Sequence, residues 1–279
     1  MKSTNIEQLL TIMQQLRDPE CGCPWDRKQT FASIVPHTLE EAYEVADAIA
    51  QQDFVDLKGE LGDLLFQVVF YAQLAKEQNL FEFNDIIETL SEKLIRRHPH
   101  VFAQTEFADE QAVHANWEAE KEKERARKAQ SENKQESALD NIPLALPALT
   151  RAYKIQKRCA NVGFDWKTLP PVVDKIKEEL DEVLFEVQRD DLTEQQKQLR
   201  IEDELGDLLF ANINLVRHLQ CDPEQVLRQA NSKFEKRFRL VEQEVLKKGK
   251  LLSDCPLEEL EVIWQKIKKH GFAVDSDIV

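Results

Sequence analysis

The sequence predicts an all-α protein made of two tandem helical bundles joined by a polar linker, and three observations carry that prediction. The stretch Glu60-Leu61-Gly62-Asp63-Leu64-Leu65-Phe66 recurs letter for letter as Glu204-Leu205-Gly206-Asp207-Leu208-Leu209-Phe210, with matching motifs in the same order around each copy. Only 7 glycines and 10 prolines punctuate 279 residues, too few turn signals for a many-stranded sheet. Apolar residues recur at helical spacing, as Ile6, Leu9, Leu10, Met13 and Leu16 do.

Taken in order, the first predicted helix runs from Asn5 to Arg17 and stops at Asp18-Pro19. The loop that follows carries Cys23-Pro24-Trp25-Asp26, where Trp25 reads equally as a core anchor or a pocket wall. From Thr38 a second helix places Glu41 and Glu44 at i and i+3. The third, about Val55 to Glu77, holds the first seven-residue copy and an apolar run from Leu64 to Leu74, which predicts a central position. Its two carboxylates share one face, and the leucines are expected to turn inward. Gly62 and Gly206 each cost about 1 kcal/mol against Ala in a helix interior, so a close-packed helix or a ligand is expected beside them.

A fourth helix from Asn84 sets Lys93, Arg96 and Arg97 on one face before His98-Pro99 ends it; the same cations also answer the helix dipole. A segment around Val113 to Lys128 contains Trp117. It passes into a polar stretch without aromatics, residues 125–140, read as a linker between an N-terminal domain 1–124 and a C-terminal domain 141–279. Then the series repeats. Leu146 to Asn161 parallels the first helix, Gly163-Phe164-Asp165-Trp166 stands where Cys23 to Asp26 stood, and Pro170-Pro171 open a helix bearing Glu179 and Glu182. The second seven-residue copy follows Arg200-Ile201-Glu202-Asp203, Lys233, Lys236 and Arg237 match the first cationic triplet, and Trp264 answers Trp117.

A formal charge of -15 opposes binding to a nucleic-acid polymer or an anionic membrane. Five scattered cysteines and an N-terminal MKSTNIEQLL without a charged-then-apolar leader lead us to expect a reducing cytoplasm. Cys21-x-Cys23 lacks a second Cys or His pair at zinc-ligand spacing.

The pattern Glu-Glu-x-x-Glu followed by Glu-x-x-Asp, twice and with a cationic triplet beyond, predicts a metal site of hard oxygen ligands suited to Mg²⁺ or Mn²⁺. Its members are Glu179, Glu182, Glu204 and Asp207, with a weaker equivalent at Glu41, Glu44, Glu60 and Asp63. A di-iron bundle draws on Glu-x-x-His, and none of the 6 histidines has an acid three residues before it. Mg²⁺ held by few carboxylates completes its shell with water and substrate phosphates, so a phosphorylated substrate is expected. Neither glycine-rich phosphate loop occurs, which leaves side chains and metal to hold it.

These motifs, with Cys-Pro-Trp-Asp near the start, Arg-Arg-His-Pro-His-Val-Phe midway and Lys-Arg-Cys-Ala-Asn-Val-Gly-Phe-Asp-Trp after the linker, resemble the MazG family over nearly the whole chain. MazG proteins are tandem-domain nucleoside triphosphate pyrophosphohydrolases of the all-α pyrophosphatase superfamily. The resemblance implies Mg²⁺-dependent hydrolysis of nucleoside triphosphates between the α and β phosphates, a role in clearing the nucleotide pool, and a homodimer. The alternative is a nucleotide-binding regulatory protein with little turnover. By resemblance the catalytic set is Glu178, Glu179, Glu182, Glu204 and Asp207; a nearby free carboxylate is expected to take the proton, and Glu178 is one candidate that the sequence does not single out. The implied nucleotide site takes in Lys175, Ile176, Lys177, Glu178 and Glu179, then Arg200, Ile201, Glu202, Asp203 and Asp207. Lys233, Phe234, Glu235, Lys236, Arg237 and Trp264 complete it, with Trp264 either stacked on the base or buried in the core.

The halves are unequal. Arg200 and Asp203 stand where the first half has Asp56 and Gly59, and Lys175 stands where it has His37. The second half therefore offers more cation to a triphosphate and is expected to be the principal catalytic domain.

Overall fold

The computed structural model describes residues 5–103, 105–131 and 137–270 and divides into two compact units, Met1–Lys123 and Glu124–Val279. The described residues contain no strand. The first unit holds α1 (Ile6–Leu16), α2 (Phe31–Gln51), α3 (Phe54–Glu77), α4 (Phe83–Arg97), α5 (Pro99–Phe102) and the start of α6 (Glu110–Ser131). In the second unit, α7 (Ala148–Asn161), α8 (Leu169–Gln188), α9 (Glu194–His218), α10 (Pro223–Lys247) and α11 (Leu257–His270) follow.

Side-chain caps set the helix starts. Asn5 accepts from the Gln8 amide at 3.0 Å, Thr193 and Gln196 form a reciprocal capping box, and Asp222 accepts from the Gln225 amide at 2.8 Å. Another reciprocal cap, Thr30 with Ser33, begins α2 at Phe31 rather than at the expected Thr38. Pro36 then lies inside the helix, and the strong cap offsets the backbone bond that its missing N–H forgoes. The stretch expected to be linker is helical to Ser131, because its run of Glu, Lys, Arg and Ala favours helix whether or not it packs.

In the first unit the core gathers Met13, Ile34, Val69, Phe70 and Leu74, with Val69 and Phe70 fully buried. Arg17 ties α1 to α3 by a two-pronged ion pair with Glu77, at 2.8 and 2.6 Å, and also donates to the Asp26 carbonyl. In the loop between, a Cβ at Gly22 would sit 2.6 Å from backbone atoms of Asp18 and Leu16, so only glycine fits. The second unit packs Val241, Val245 and Ile263 between α10 and α11, while Val172 and Val183 of α8 and Ala211 and Ile213 of α9 are also buried.

Two expectations about the repeated stretch are corrected. Leu61, Leu65, Leu205 and Leu209 are exposed, not turned inward, because the buried face of each helix begins further along, at Gln67 and Val69 in α3 and at Ala211 and Ile213 in α9. A Cβ at Gly62 or Gly206 would meet no atom within 4 Å, so no packing within this chain requires either glycine.

Candidate active site

Each unit presents its acids on a helical hairpin, α2 with α3 and α8 with α9, in which a short connection makes the helices antiparallel. Glu179 and Glu182 lie one turn apart on α8, as Glu204 and Asp207 do on α9, so the four carboxylates converge across the hairpin. Glu179, Glu204 and Asp207 bring carboxylate oxygens within 4.8 Å of one another. Glu182 stands close enough to Glu179 and Glu204 for them to raise the pKa of its carboxyl. In the first unit the same convergence is made by Glu41, Glu44 and Glu60, again within 4.8 Å. Asp63 stands close enough to raise the pKa of both Glu41 and Glu60 by its charge.

The electrostatics are those of crowded anions. A hydrogen bond to Glu179, then burial, then the charges of Glu179 and Glu204 push the Glu182 carboxyl above its ordinary value. Burial, followed by the charges of Asp203, Asp207, Glu179 and Glu186, does the same to Glu204. Burial leads at Glu41 and Glu60 as well, with Asp63 and Glu44 next at Glu41, and Glu44 and Asp56 next at Glu60. A divalent cation relieves this repulsion, and the donors are all hard oxygens, so the residues present fit Mg²⁺ or Mn²⁺.

Among the described residues, a lysine reaches the acids only in the second unit. Lys175 lies 2.7 Å from Glu179 and 2.8 Å from Glu178, and hydrogen bonds to Glu178 and Glu179 raise its pKa, which keeps it cationic. His37, at the equivalent place in the first unit, lies 3.7 Å from Glu40.

The carboxylate cluster of the second unit opens into a cleft of about 640 Å³, walled by α7, α8, α9 and the loop after α7. Lys175, Glu179 and Asp207 line one part of it, and Gln156, Ala211, Asn214 and Arg217 line more of the wall. A helix-ending turn shapes the loop. Gly163, at φ +88°, donates to the Ala160 carbonyl at 3.0 Å and Phe164 donates to that of Cys159 at 2.9 Å, which turns Phe164-Asp165-Trp166 across the cleft. Asp165 is anchored to α9 by Arg217 at 2.6 Å and His218 at 3.0 Å. Burial pushes the Asp165 carboxyl up, but these two partners outweigh it and hold it below its ordinary value.

The expected site residues fall into separate groups. Lys175, Glu179 and Asp207 line the cleft. Glu178 is exposed and paired with Lys175, Lys177 is exposed and 3.0 Å from Asp174, and Ile176 is half-buried. Arg200, Glu202 and Asp203 lie exposed on α9 with Ile201 half-buried, and Glu202 accepts from Gln198 at 2.8 Å. On α10, Lys233, Phe234, Glu235 and Lys236 are exposed and Arg237 is half-buried. Trp264 packs its ring 5.1 Å from that of Phe234, against the α10–α11 core. None of the α10 residues, nor Trp264, lines the cleft.

Sequence reasoning missed Gln156, Phe164, Asp165, Trp166, Asn214 and Arg217 as site residues. A signal for three of them was present, since Gly163-Phe164-Asp165-Trp166 was already recognised as a repeated loop motif. Gln156 and Asn214 carried none, because a polar residue on a helix is ordinarily a solvated one.

Comparison with known proteins agrees with this geometry. The MazG nucleotide pyrophosphohydrolase domain matches twice, at residues 29–102 and 168–241, and each match contains one four-carboxylate hairpin. The chain is similar to a nucleoside triphosphate pyrophosphohydrolase of Escherichia coli, 59% identical over 265 residues that cover 95% of this chain and 97% of the relative. It is also similar to the nucleoside triphosphate pyrophosphohydrolase/pyrophosphatase MazG of Thermotoga maritima, 43% identical over 96% of this chain and 98% of that one. A third similarity, to the uncharacterized protein YabN of Bacillus subtilis, is 39% identical and covers 93% of this chain but 50% of YabN.

Proposed function

The chain belongs to the MazG nucleotide pyrophosphohydrolase family, and from that membership we propose that its second unit is the one that splits nucleoside triphosphates into nucleoside monophosphate and pyrophosphate. The chain as a whole is a nucleoside triphosphate pyrophosphohydrolase, a hydrolase. One observation carries the assignment to the second unit: there the carboxylates, a cationic lysine and a nucleotide-sized cleft are continuous, through Lys175, Glu179 and Asp207. In the first unit the residues seven and four positions beyond the shared Asp63 are Phe70 and Gln67, both buried, where the second unit has Asn214 and Ala211. Large side chains fill the first unit and small ones open the second.

Glu179, Glu182, Glu204 and Asp207 would hold Mg²⁺, with Mn²⁺ as a substitute. Bound there, the ion supplies charge neutralisation for the triphosphate and lowers the pKa of water. The protein's own residues do the rest. Glu179 and Asp207 face the cleft and fix where the phosphates enter, and Lys175 holds its proton and offers it to a phosphate oxygen. Glu178, outside the four-acid cluster and held 2.8 Å from Lys175, takes the proton of the attacking water. Arg200, Lys233, Lys236 and Arg237 add positive charge around the substrate.

Exposed Leu61, Leu65 and Val68 on α3, and Leu205, Leu209 and Phe210 on α9, support a homodimer formed through the hairpins. Five free cysteines support a cytoplasmic location. Clearance of the nucleotide pool is the cellular role that fits.

The test is pyrophosphate release, with and without a chelator, by Glu179→Ala, Glu182→Ala and Glu41→Ala, each checked for retained helicity. We expect the two second-unit variants to lose at least 100-fold and Glu41→Ala to lose far less. Full activity in both second-unit variants overturns the assignment.

A further inference from the structure

The acids of the first unit lie against a buried amide whose oxygen nothing in the protein satisfies. Gln67, on α3 and 5% exposed, brings its side-chain nitrogen to 3.4 Å from Glu41 Oε1, while its own Oε1 is buried without a hydrogen-bond partner. Folded proteins keep few such atoms, and one on an amide that touches a group of carboxylates marks a place where a ligand completes the set. Glu60, Asp63 and Gln67 stand at i, i+3 and i+7, so the amide shares a face of α3 with the two acids.

The contact with Glu41 is long for a donor facing a carboxylate, which ordinarily closes to about 2.7–2.9 Å; here it is 3.4 Å. A separation of about 3.4 Å is that of neighbouring oxygens around a cation with bonds of about 2.4 Å, the range of Ca²⁺, whereas bonds of about 2.1 Å to Mg²⁺ set them about 3.0 Å apart. The last torsion of a glutamine has two broad wells, so a half-turn exchanges nitrogen and oxygen and turns Oε1 to Glu41. The second unit has no such amide. Ala211 stands at the register of Gln67, and there the acids open into the cleft. In the first unit that register holds Gln67, with the fully buried Phe70 one turn on.

Resting on the reading of the acids as cation sites, we propose that the first unit holds a resident Ca²⁺-sized cation without nucleotide, bound by Glu41, Glu44, Glu60 and Asp63 with Gln67 Oε1 as a fifth, neutral ligand. Ca²⁺ takes six to eight oxygens and accepts amide carbonyls among them, so a fifth protein oxygen favours it. Mg²⁺ gives up water reluctantly and gains less from the amide. Because its ligands come from α2 and α3, the ion clamps that hairpin. Its work is structural, in contrast with the second unit, where Ala211 leaves room for phosphate to complete the shell.

Calorimetric titration of the full chain with Ca²⁺ and, separately, Mg²⁺, without nucleotide, tests this. A Glu204→Gln, Asp207→Asn background silences the second unit. It is expected to bind a single Ca²⁺, and Mg²⁺ about 10-fold more weakly. In that background Gln67→Leu keeps the side chain's bulk and is expected to weaken Ca²⁺ about 10-fold. Its ion-free melting temperature should hold or rise, because an unsatisfied buried oxygen is gone. Gln67→Glu supplies an oxygen again and is expected to bind Ca²⁺ at least as tightly as the background. Should Gln67→Leu fail to fold by circular dichroism, Gln67→Glu and the preference of the background for Ca²⁺ decide. Unaltered Ca²⁺ affinity in Gln67→Leu overturns the proposal, as does weaker Ca²⁺ binding in Gln67→Glu or a background that prefers Mg²⁺. A background that binds no ion, beside an unmutated chain that does, overturns it too and leaves the metal site of the second unit standing. An unmutated chain that takes up neither ion overturns the cation reading of both units.

Discussion

Glu179→Gln removes one negative charge from the carboxylate cluster while keeping the side chain's size and its ability to accept from Lys175, 2.7 Å away. Two effects oppose each other in metal-free protein. Converting a charge-assisted hydrogen bond to a neutral one costs about 1 kcal/mol, and relief of repulsion with Glu182 and Glu204 returns part of it. The raised carboxyls of Glu182 and Glu204 give the sign of the second effect. Their contribution to stability is present below the ordinary glutamate pKa of about 4.3 and is lost as pH rises through the higher folded values. The metal-free variant should therefore melt within about 4 °C of wild type.

Mg²⁺ separates them. At a hundredfold excess over its Kd the ion stabilises the wild-type unit by about 2.7 kcal/mol, which for a unit of this size raises Tm by about 5–10 °C. A variant binding ten times more weakly gains about half as much at the same concentration. Differential scanning calorimetry of both proteins, with and without Mg²⁺, measures the difference, and Glu41→Gln reports the first unit's share. Equal shifts in wild type and Glu179→Gln, or no shift in wild type, would refute the metal-site reasoning and leave an acidic face that only water solvates.

Asn214→Phe installs in the second unit the residue found at the same register in the first, and should lower nucleotide affinity at least 10-fold while the Mg²⁺-induced rise in Tm persists. Phe70→Ala empties a fully buried position and should destabilise the first unit by about 3–5 kcal/mol. Because that core lies outside the unit proposed to be catalytic, pyrophosphate release per folded molecule should not change. Arg17→Ala strips Glu77 of its two-pronged partner and should cost the first unit about 2–3 kcal/mol in urea unfolding at pH 7. Arg17 holds the Glu77 carboxyl below its ordinary value, so this stability is present above about pH 4.3 and fades as pH falls through the lowered pKa. The difference between wild type and variant should therefore shrink between pH 5 and pH 3.

Much of the helical layout was legible because its signals are local. Asn5 and Pro170 mark their helix starts by chemistry acting over a single turn, and the i, i+3 spacing of the acids fixes their common face whatever packs nearby. One start was read too late. The second helix was expected from Thr38, whereas the Thr30–Ser33 cap begins α2 at Phe31, before Pro36. The leucines of the repeated stretch looked like core because apolar composition does not say which turn of a long helix meets its neighbours. Trp264 reads in the sequence either as stacked on the base or as core, and the structure sets its ring 5.1 Å from that of Phe234.

By itself the sequence determined that there are two repeats, that each carries two pairs of acids at i and i+3 on successive helices, and that the second has the extra cations. Covalent spacing and helical periodicity settle such matters residue by residue. Only the tertiary structure decided that the second hairpin opens into a cleft and that Gln156 and Asn214 line it. That outcome depends on Ala211 and Asn214 standing where Gln67 and Phe70 fill the first unit, on a Gly163 turn that brings Phe164 to Trp166 across the opening, and on Arg217 bridging Asp165 to Asn214. Contacts between residues about 50 positions apart in the chain have no periodicity to announce them.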